Sequence, residues 1–432
     1  MMKSAVILAA GKGTRMKSKY PKVCQPVLDK PMIRCVYDSL GKLSFDNIIP
    51  IVGYGADEVL NVLPKGVEYR VQEQQLGTGH AVMQASDLLK GKEGLTFVIA
   101  GDQPLITPES VQKLLDFHIE NKNDMTLMTA KLENPYGYGR IIRDGDQILR
   151  IVEQKDATVE ELRVQEVNIS VMLFDNEKLF NFIDTVDTKN KQGEYYLTDM
   201  LTIFNQQGYK VGGIAIDDNN EAIGVNDKVV LAEVNKIKKQ YVNEKHMLNG
   251  VTIVDPESTY IGEDVIIGAD TIIYPGSVIF GKSEIGMESE IKSSYIIDSK
   301  VGNNVTIGPF AHLRNQAVVG DNSRIGNFVE IKKSTLDTGV KSAHLTYIGD
   351  AEVGKDVNFG CGVVTVNYDG VNKHKTIIHD NAFIGSNVNL IAPIQVGENA
   401  LLAAGSTIHD DVPANALAIA RNRQTVKNGY KK

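Results

Sequence analysis

Three short stretches hold residue types whose spacing could do chemistry. "LAAGKGTRM", Leu8 to Met16, offers Gly11 and Gly13 in a turn, followed by Arg15. Exposed amides in such a turn can cradle phosphate oxygens, and an arginine adds charge-assisted contacts. It is not a Walker loop, which needs Lys-Ser/Thr after its last glycine, and it lacks the third glycine of a dinucleotide fingerprint. "AGDQPL" places Asp102 at the end of an apolar run, where a carboxylate beside bound phosphates is the ordinary way to hold Mg²⁺. A plain turn or helix-capping aspartate would look the same in isolation. "KSAHLTYIGD", residues 341 to 350, groups a histidine, a tyrosine and an acidic residue where a regular repeat fails. Two further stretches accompany the first pair: "YPKV" supplies Lys22, and "QLGTGHA" puts Gly77, Thr78 and Gly79 after an expected strand, suited to reading a flat base with backbone groups.

The elements that must position these residues follow two different periods. Residues 1 to about 227 alternate short apolar runs (Val6-Ile7-Leu8, Ile48-Ile49 to Val52, Phe97-Val98-Ile99) with stretches long enough for helical crossovers. That pattern predicts a largely parallel sheet covered on both faces. Residues 228–250 read as a linking helix, with Val230, Val234, Ile237 and Tyr241 at helical spacing and Gly250 as its stop. From 251 onward an aliphatic residue recurs every six positions: Ile261, Ile267, Ile273, Ile279, Ile285, Ile291 and Ile297, then Val301 to Ile331, then Ile378 to Ile408. Such hexads predict a parallel β-helix in which the aliphatic residue points inward and glycine serves the corner. The disrupted middle, around His344, is expected to lift a loop out of the stack.

Composition bounds the partners. At 432 residues and 42% apolar, the chain exceeds one ordinary core. A formal charge of -8 argues against nucleic acid. Three cysteines, Cys24, Cys35 and Cys361, form neither an even framework nor a metal-ligand set, which fits a reducing cytoplasm. No apolar stretch approaches the length of a membrane span.

Taken together, "LAAGKGTRM", "PKV", "QLGTGHA", "GDQPL", "GYGRI", "IVEQKDA", "GEYYLTD" and "GVND", followed by "GPFAHLR", "GNFVEIKKS", "HLTYIGD", "NYDG" and "ALAIAR", resemble the bifunctional N-acetylglucosamine-1-phosphate uridyltransferase/glucosamine-1-phosphate acetyltransferase family over nearly the whole chain. The resemblance implies an α/β Rossmann-like nucleotidyltransferase domain (1–227), the linking helix (228–250) and a left-handed β-helix acetyltransferase domain with a C-terminal tail (251–432). It implies a cytoplasmic homotrimer that uses Mg²⁺, UTP and acetyl-CoA to make a precursor of peptidoglycan and lipopolysaccharide.

In the first half, the resemblance implies that Leu8, Ala9, Ala10, Gly11, Lys22, Gln72, Gly77 and Thr78 surround the nucleotide. Arg15 and Lys22 would act on its phosphates, Asp102 and Asn226 would bind Mg²⁺, and Gly139, Glu153 and Asn168 would contact the amino sugar. In the second half it implies His344 as catalytic base with Glu330 orienting its ring. Arg314, Lys332, Tyr347 and Asn358 would hold the sugar phosphate, and Cys361, Asn367, Tyr368, Ser386, Ala404 and Arg421 would line acetyl-CoA. Position 100 is Ala where some relatives carry an aromatic, and Cys361 stands where many have alanine. The basic tail "RQTVKNGYKK" brings lysines that could meet coenzyme A phosphates. A single-activity sugar-phosphate nucleotidyltransferase with the β-helix as scaffold is the alternative; "HLTYIGD" and "NYDG" argue against it.

Overall fold

The computed structural model describes residues 1–430, so the last two lysines of the basic tail lie outside the described residues. The chain forms two compact units, one from Met1 to Lys238 and one from Lys239 onward.

In the first unit the apolar runs become strands Met2–Ala9, Asn47–Val52 and Gly94–Ala100. They lie side by side and parallel, with Ala5 between Ile48 and Phe97. Both faces are covered, which is why these strands read as unbroken apolar runs rather than alternating ones. Ala5, Ile7 and Ala9 pack with Ile33, Val36, Leu114 and Leu115 on one side. Val6, Ile49 and Val98 pack with Leu179, Phe180, Leu201 and Phe204 on the other. The sheet departs from the largely parallel expectation at strand Glu166–Asp175, which runs antiparallel between Gly94–Ala100 and Met125–Lys131. Gly139–Asp144 and Gln147–Val152 form a hairpin attached beside it. A strand's composition is the same in either direction, so apolar runs alone did not reveal this reversal. The linking helix spans Lys228–Leu248 and is followed by Gly250 at φ 91°.

The second unit is a left-handed parallel β-helix. Its rungs build three parallel sheets, visited in turn. One sheet stacks Ile261, Ile279, Ile296, Leu313, Ile331 and Ile348 inward; the others stack Ile273–Ile291–Ile307–Ile325 and Ile285–Val301–Val319–Leu336. Where the six-residue count first fails, between Ile291 and Val301, the inward residue is therefore Ile296, fully buried, and not Ile297. Two successive five-residue steps, from Ile291 to Ile296 and on to Val301, account for the shift. Glycine serves some of the corners as expected, including Gly276, Gly339, Gly362 and Gly405 at φ 74–75°, but not all of them. Many left-handed corners are Asn or Asp, including Asn304, Asn322, Asp356 and Asn381, whose short polar side chains tolerate that region. Other hexad glycines answer a different need: a Cβ on Gly286 would lie 2.5 Å from the Gly302 backbone of the next coil.

The "KSAHLTYIGD" segment does not leave the stack. Lys341–His344 pairs with Arg324–Asn327 below and Asn358–Phe359 above, and Tyr347–Gly349 lies between Glu330–Lys332 and Val364–Val366. The period looked broken because Ser342 and Thr365, both fully buried, take the aliphatic place and because Leu336 and Val353 follow five-residue steps. The segment that leaves the coil is 367–375, "NYDGVNKHK", between inward Thr365 and inward Ile378.

Candidate active sites

The first strand ends at Ala9, and Leu8, Ala9 and Ala10 deliver the chain to the carboxyl edge of the parallel strands, where open α/β sheets form their crevices. There Ala10 accepts a hydrogen bond from the Tyr54 amide at 3.1 Å, and the Gln72 amide donates to Val52 at 2.8 Å. The Gln72 side chain is buried and donates to the Gly77 carbonyl at 3.0 Å. Thr78 opens the helix Thr78–Met83, and its hydroxyl accepts from the Leu197 amide at 3.0 Å. Gly77 has a packing reason of its own: a Cβ there would lie 2.6 Å from the Tyr195 carbonyl, so "QLGTGHA" and "GEYYLTD" are pressed together.

Past Gly11 the chain turns at Gly13, which has φ 60° and no room for a side chain beside Lys22. The two residues that follow these bends meet two others from far along the sequence. Lys22 Nζ donates to Asp102 Oδ2 and, at 3.2 Å, to Asn226 Oδ1. Arg15 Nη2 donates to the same Asn226 oxygen at 2.8 Å. The Val225 amide donates to the Asp102 carbonyl at 3.0 Å, which fixes the "GVND" turn against "GDQPL". Glu221, buried, reinforces this by accepting from the Thr107 amide at 3.0 Å and the Ser110 hydroxyl at 2.8 Å. Two oxygens from Asp102 and Asn226 already share one cation, the Lys22 ammonium. That is the donor set Mg²⁺ takes from a protein when phosphates and water complete its shell. Among the described residues no group of three or more His, Cys, Asp or Glu could hold a metal by itself.

A few residues away the three expected sugar contacts gather. Gly139 pairs with Asn168 across the sheet, and a Cβ on Gly139 would lie 3.3 Å from Glu153 Oε1. Asn168 is buried and begins a bulge in which Ser170 takes φ 60°. Burial pushes the Glu153 carboxyl above the usual range, and the Asp156 and Asp199 charges add to it. Asp199, which the sequence reading passed over, is pushed up to about 6, first by burial and then by Asp187 and Asp156.

In the β-helix, equivalent positions on successive coils line up along one edge. Counting two residues beyond the inward position of one sheet gives Asn327, His344, Cys361, Ser386 and Ala404. The expected base and three expected acetyl-CoA contacts thus form one column. Asn358 precedes inward Phe359 on the same sheet as His344. On the adjoining sheet Arg314 pairs with Lys332, and Glu330 with Tyr347.

Two expectations change. Glu330 does not orient His344: its carboxylate takes Arg314 Nε at 2.8 Å and Nη2 at 2.5 Å. Glu330 stands at an outward strand position and His344 at a corner of the neighbouring sheet, so the guanidinium on Glu330's own sheet is the nearer partner. The His344 ring is held instead by Asn327, whose Oδ1 lies 2.8 Å from Nδ1. Asn327 was quoted within "GNFVEIKKS" but given no role; its position seventeen residues before His344, about one coil, was the available signal.

Asn367 stands at the root of the extruded loop, with Nδ2 2.6 Å from Asp350 Oδ2 and 3.5 Å from the Tyr347 hydroxyl. Tyr347 lies over Gly349, where a Cβ would come within 2.3 Å of its hydroxyl. Tyr368 is turned onto its own loop, donating to the Gly370 carbonyl at 2.5 Å with Lys373 Nζ 4.2 Å from its ring centre. Arg421 is exposed beyond the last strand, Leu417–Ala418. The structure does not bring either of these two to His344. His118 and His246 are buried and lowered by that burial, His118 to about 4.

Comparison with known proteins agrees with both halves. A MobA-like NTP transferase domain matches residues 5–159, and bacterial transferase hexapeptide repeats match 298–333 and 375–410. The "Bifunctional protein GlmU" of Geobacillus sp. (strain WCH70) is 52% identical, covering 99% of this chain and 97% of the relative. That of Enterococcus faecalis is also 52% identical, again over 99% and 97%. A solved structure titled a putative glucose-1-phosphate thymidylyltransferase from Bacillus anthracis covers 54% of this chain and 94% of its own at 21% identity and a TM-score of 0.46, too loose a likeness to carry argument.

Proposed function

The chain belongs to the GlmU family of bifunctional proteins, and on that premise we propose how its two sites divide the work. It is a uridyltransferase and an acetyltransferase on one polypeptide. The β-helix acetylates glucosamine 1-phosphate from acetyl-CoA, and the first half then joins N-acetylglucosamine 1-phosphate to UTP with release of pyrophosphate.

In acetyl transfer an ammonium cannot attack, so the amine must surrender a proton as its nitrogen bonds to the thioester carbonyl. His344 takes that proton as general base. The carbon–sulfur bond breaks and coenzyme A leaves as thiolate, which is reprotonated. Arg314 and Lys332, neighbours by register, hold the sugar phosphate, with Tyr347 and Asn358 beside it. Cys361, Ser386 and Ala404 continue the column along which the thioester lies, while Asn367, Tyr368 and Arg421 would contact acetyl-CoA away from His344.

In uridyl transfer the sugar phosphate oxygen attacks the α-phosphorus of UTP in line. Such a step needs positioning and charge neutralisation rather than a covalent nucleophile. Leu8, Ala9, Ala10, Gly11, Gln72, Gly77 and Thr78 surround the nucleotide; Arg15 and Lys22 neutralise its phosphates. Asp102 and Asn226 would hold Mg²⁺, which supplies Lewis-acid polarisation of phosphate oxygens when bound. Gly139, Glu153 and Asn168 recognise the amino sugar.

The observation that carries this reading is the meeting of Arg15, Lys22, Asp102 and Asn226 around one oxygen and one ammonium, from three separate parts of the sequence. A homotrimer is supported by an exposed apolar ladder on the β-helix. Phe310 and Phe328 stack at 5.5 Å between ring centres and remain 60% and 55% exposed, and Leu345 follows one coil on at 56%. Cytoplasmic placement follows from UTP and acetyl-CoA as substrates; among the described residues no helix is long and apolar enough to cross a membrane.

The test is substitution with both reactions assayed. His344→Ala abolishes acetyl transfer and spares uridyl transfer, and Asp102→Asn does the reverse. Loss of both activities from either substitution in a folded protein contradicts the two-site assignment.

A further inference from the structure

We propose that Asn327 is a positioning residue that sets the tautomer of His344, keeping the ring proton on Nδ1 so that Nε2 receives the proton of the attacking amine. The inference rests on the acetyl-transfer reading of His344.

A neutral imidazole has one donor and one acceptor nitrogen, and the partner of one nitrogen decides the role of the other. Asn327 Oδ1 faces Nδ1 at 2.8 Å. A carbonyl oxygen only accepts, so Nδ1 carries the hydrogen and the Nε2 lone pair is left for chemistry. When Nε2 takes its proton, the ring becomes a cation with two N–H groups, and the same oxygen then accepts a charge-assisted bond. Asn327 therefore favours the state formed as the amine attacks.

The backbone is built to make this contact. Arg324–Asn327 and Lys341–His344 are four-residue strands, while most rungs of the coil hold two or three residues. The extra length creates the Asn327–His344 pair. The Leu345 amide then donates to the Asn327 carbonyl at 3.0 Å. Gly326 permits the approach: a Cβ there would lie 1.9 Å from the Ala343 carbonyl oxygen.

The neighbouring groups leave this role to Asn327. Glu330 is engaged by Arg314 on the adjoining sheet. The coil above places Cys361 at the same corner position, and Arg324 and Lys341 stand at the opposite ends of the two strands.

Aspartate matches asparagine in shape, can accept but not donate when ionised, and adds a negative charge. Asn327→Asp is therefore expected to keep acetyl transfer within about tenfold of the parent, while the acidic limb of its kcat/KM profile rises by about one pH unit. Asn327→Ala is expected to lose more than about tenfold in kcat, with the 10²–10⁴-fold that a positioned base contributes as the ceiling. Both should leave uridyl transfer unchanged. An Asn327→Asp protein as inactive as Asn327→Ala, with unaltered circular dichroism and molecular mass, would overturn the proposal, as would an unmoved acidic limb. Nitrogen-15 NMR of the unmodified protein supplies an outcome free of folding effects. In its neutral form the His344 ring should show protonated Nδ1 and bare Nε2, and the opposite tautomer refutes the idea. Retained acetyl transfer in His344→Ala would instead defeat the underlying reading, so the two failures are distinguishable.

Discussion

Replacing Gly13 by alanine tests whether the glycine-rich turn works through Lys22. The residue sits at φ 60°, and an added Cβ would lie 2.4 Å from Lys22 Cβ. Holding an alanine in the left-handed region costs about 1–2 kcal/mol. The steric overlap is separate: Lys22 must retreat by roughly 1 Å to restore ordinary contact, and a misplacement of about that size can cost 10²-fold in rate. Lys22 leads directly to Asp102 Oδ2 and Asn226 Oδ1, so the displacement falls on the uridyl-transfer site. The expected result is a loss of uridyl transfer of about 10–100-fold, unchanged acetyl transfer, and a melting transition of the first unit lowered by a few degrees. Gly11→Ala is the matched control, because an added methyl there meets no protein atom within 4 Å. It should leave melting unchanged and raise KM for UTP, since only a bound nucleotide could collide with it. Coupled assays of pyrophosphate and coenzyme A release, with a thermal scan, read both variants. Full uridyl transfer in Gly13→Ala would refute the argument through Lys22, and an unchanged KM in Gly11→Ala would refute close approach of the nucleotide to that backbone.

Three further predictions follow from the same geometry. Gly349→Ala should drive the Tyr347 ring from its place and lower acetyl transfer by about tenfold or more with uridyl transfer untouched; equal activity would show that the ring position does not matter. Asp199 has a folded-state pKa raised to about 6 by burial and neighbouring carboxylates. Its contribution to stability is thus full below the unfolded value and lost as pH rises through about 6. Asp199→Asn should therefore stabilise the protein at pH 8 by about 1–2 kcal/mol after allowance for solvent screening, with little gain at pH 4, and chemical denaturation at both values checks the sign. Alkylation should slow acetyl transfer through Cys361, which shares the column of His344 and Ser386, because the Cys24 thiol is pushed up to about 11 by burial and Glu58 and Cys35 is buried. Inactivation that persists in Cys361→Ala would exclude that thiol.

Repetition and local pattern carry through to structure when a feature depends only on residues close in the chain. The six-residue period was enough for a parallel β-helix because each hexad contributes one rung regardless of the rest. The apolar runs at Val6, Ile49 and Val98 were enough for adjacent buried strands. Family motifs brought Arg15, Lys22, Asp102 and Asn226 onto one list, and the fold gathers their side chains into one cluster.

What the local pattern misjudged was anything requiring knowledge of the neighbouring coil or strand. The repeat failed at "KSAHLTYIGD" because inward Ser342 and Thr365 are polar, yet backbone pairing kept both rungs in place. The extruded segment was its neighbour, "NYDGVNKHK". The reversed direction of Glu166–Asp175 depended on which strands it met. Glu330 looked like a partner for His344, but Arg314 on its own sheet reached it first. Sequence by itself determined the two architectures and the chemical types available to each. Tertiary structure decided which of those residues touch, because a hydrogen bond such as Asn327 to His344 depends on the pitch of the coil and the absence of a Cβ at Gly326, neither of which is written at either residue.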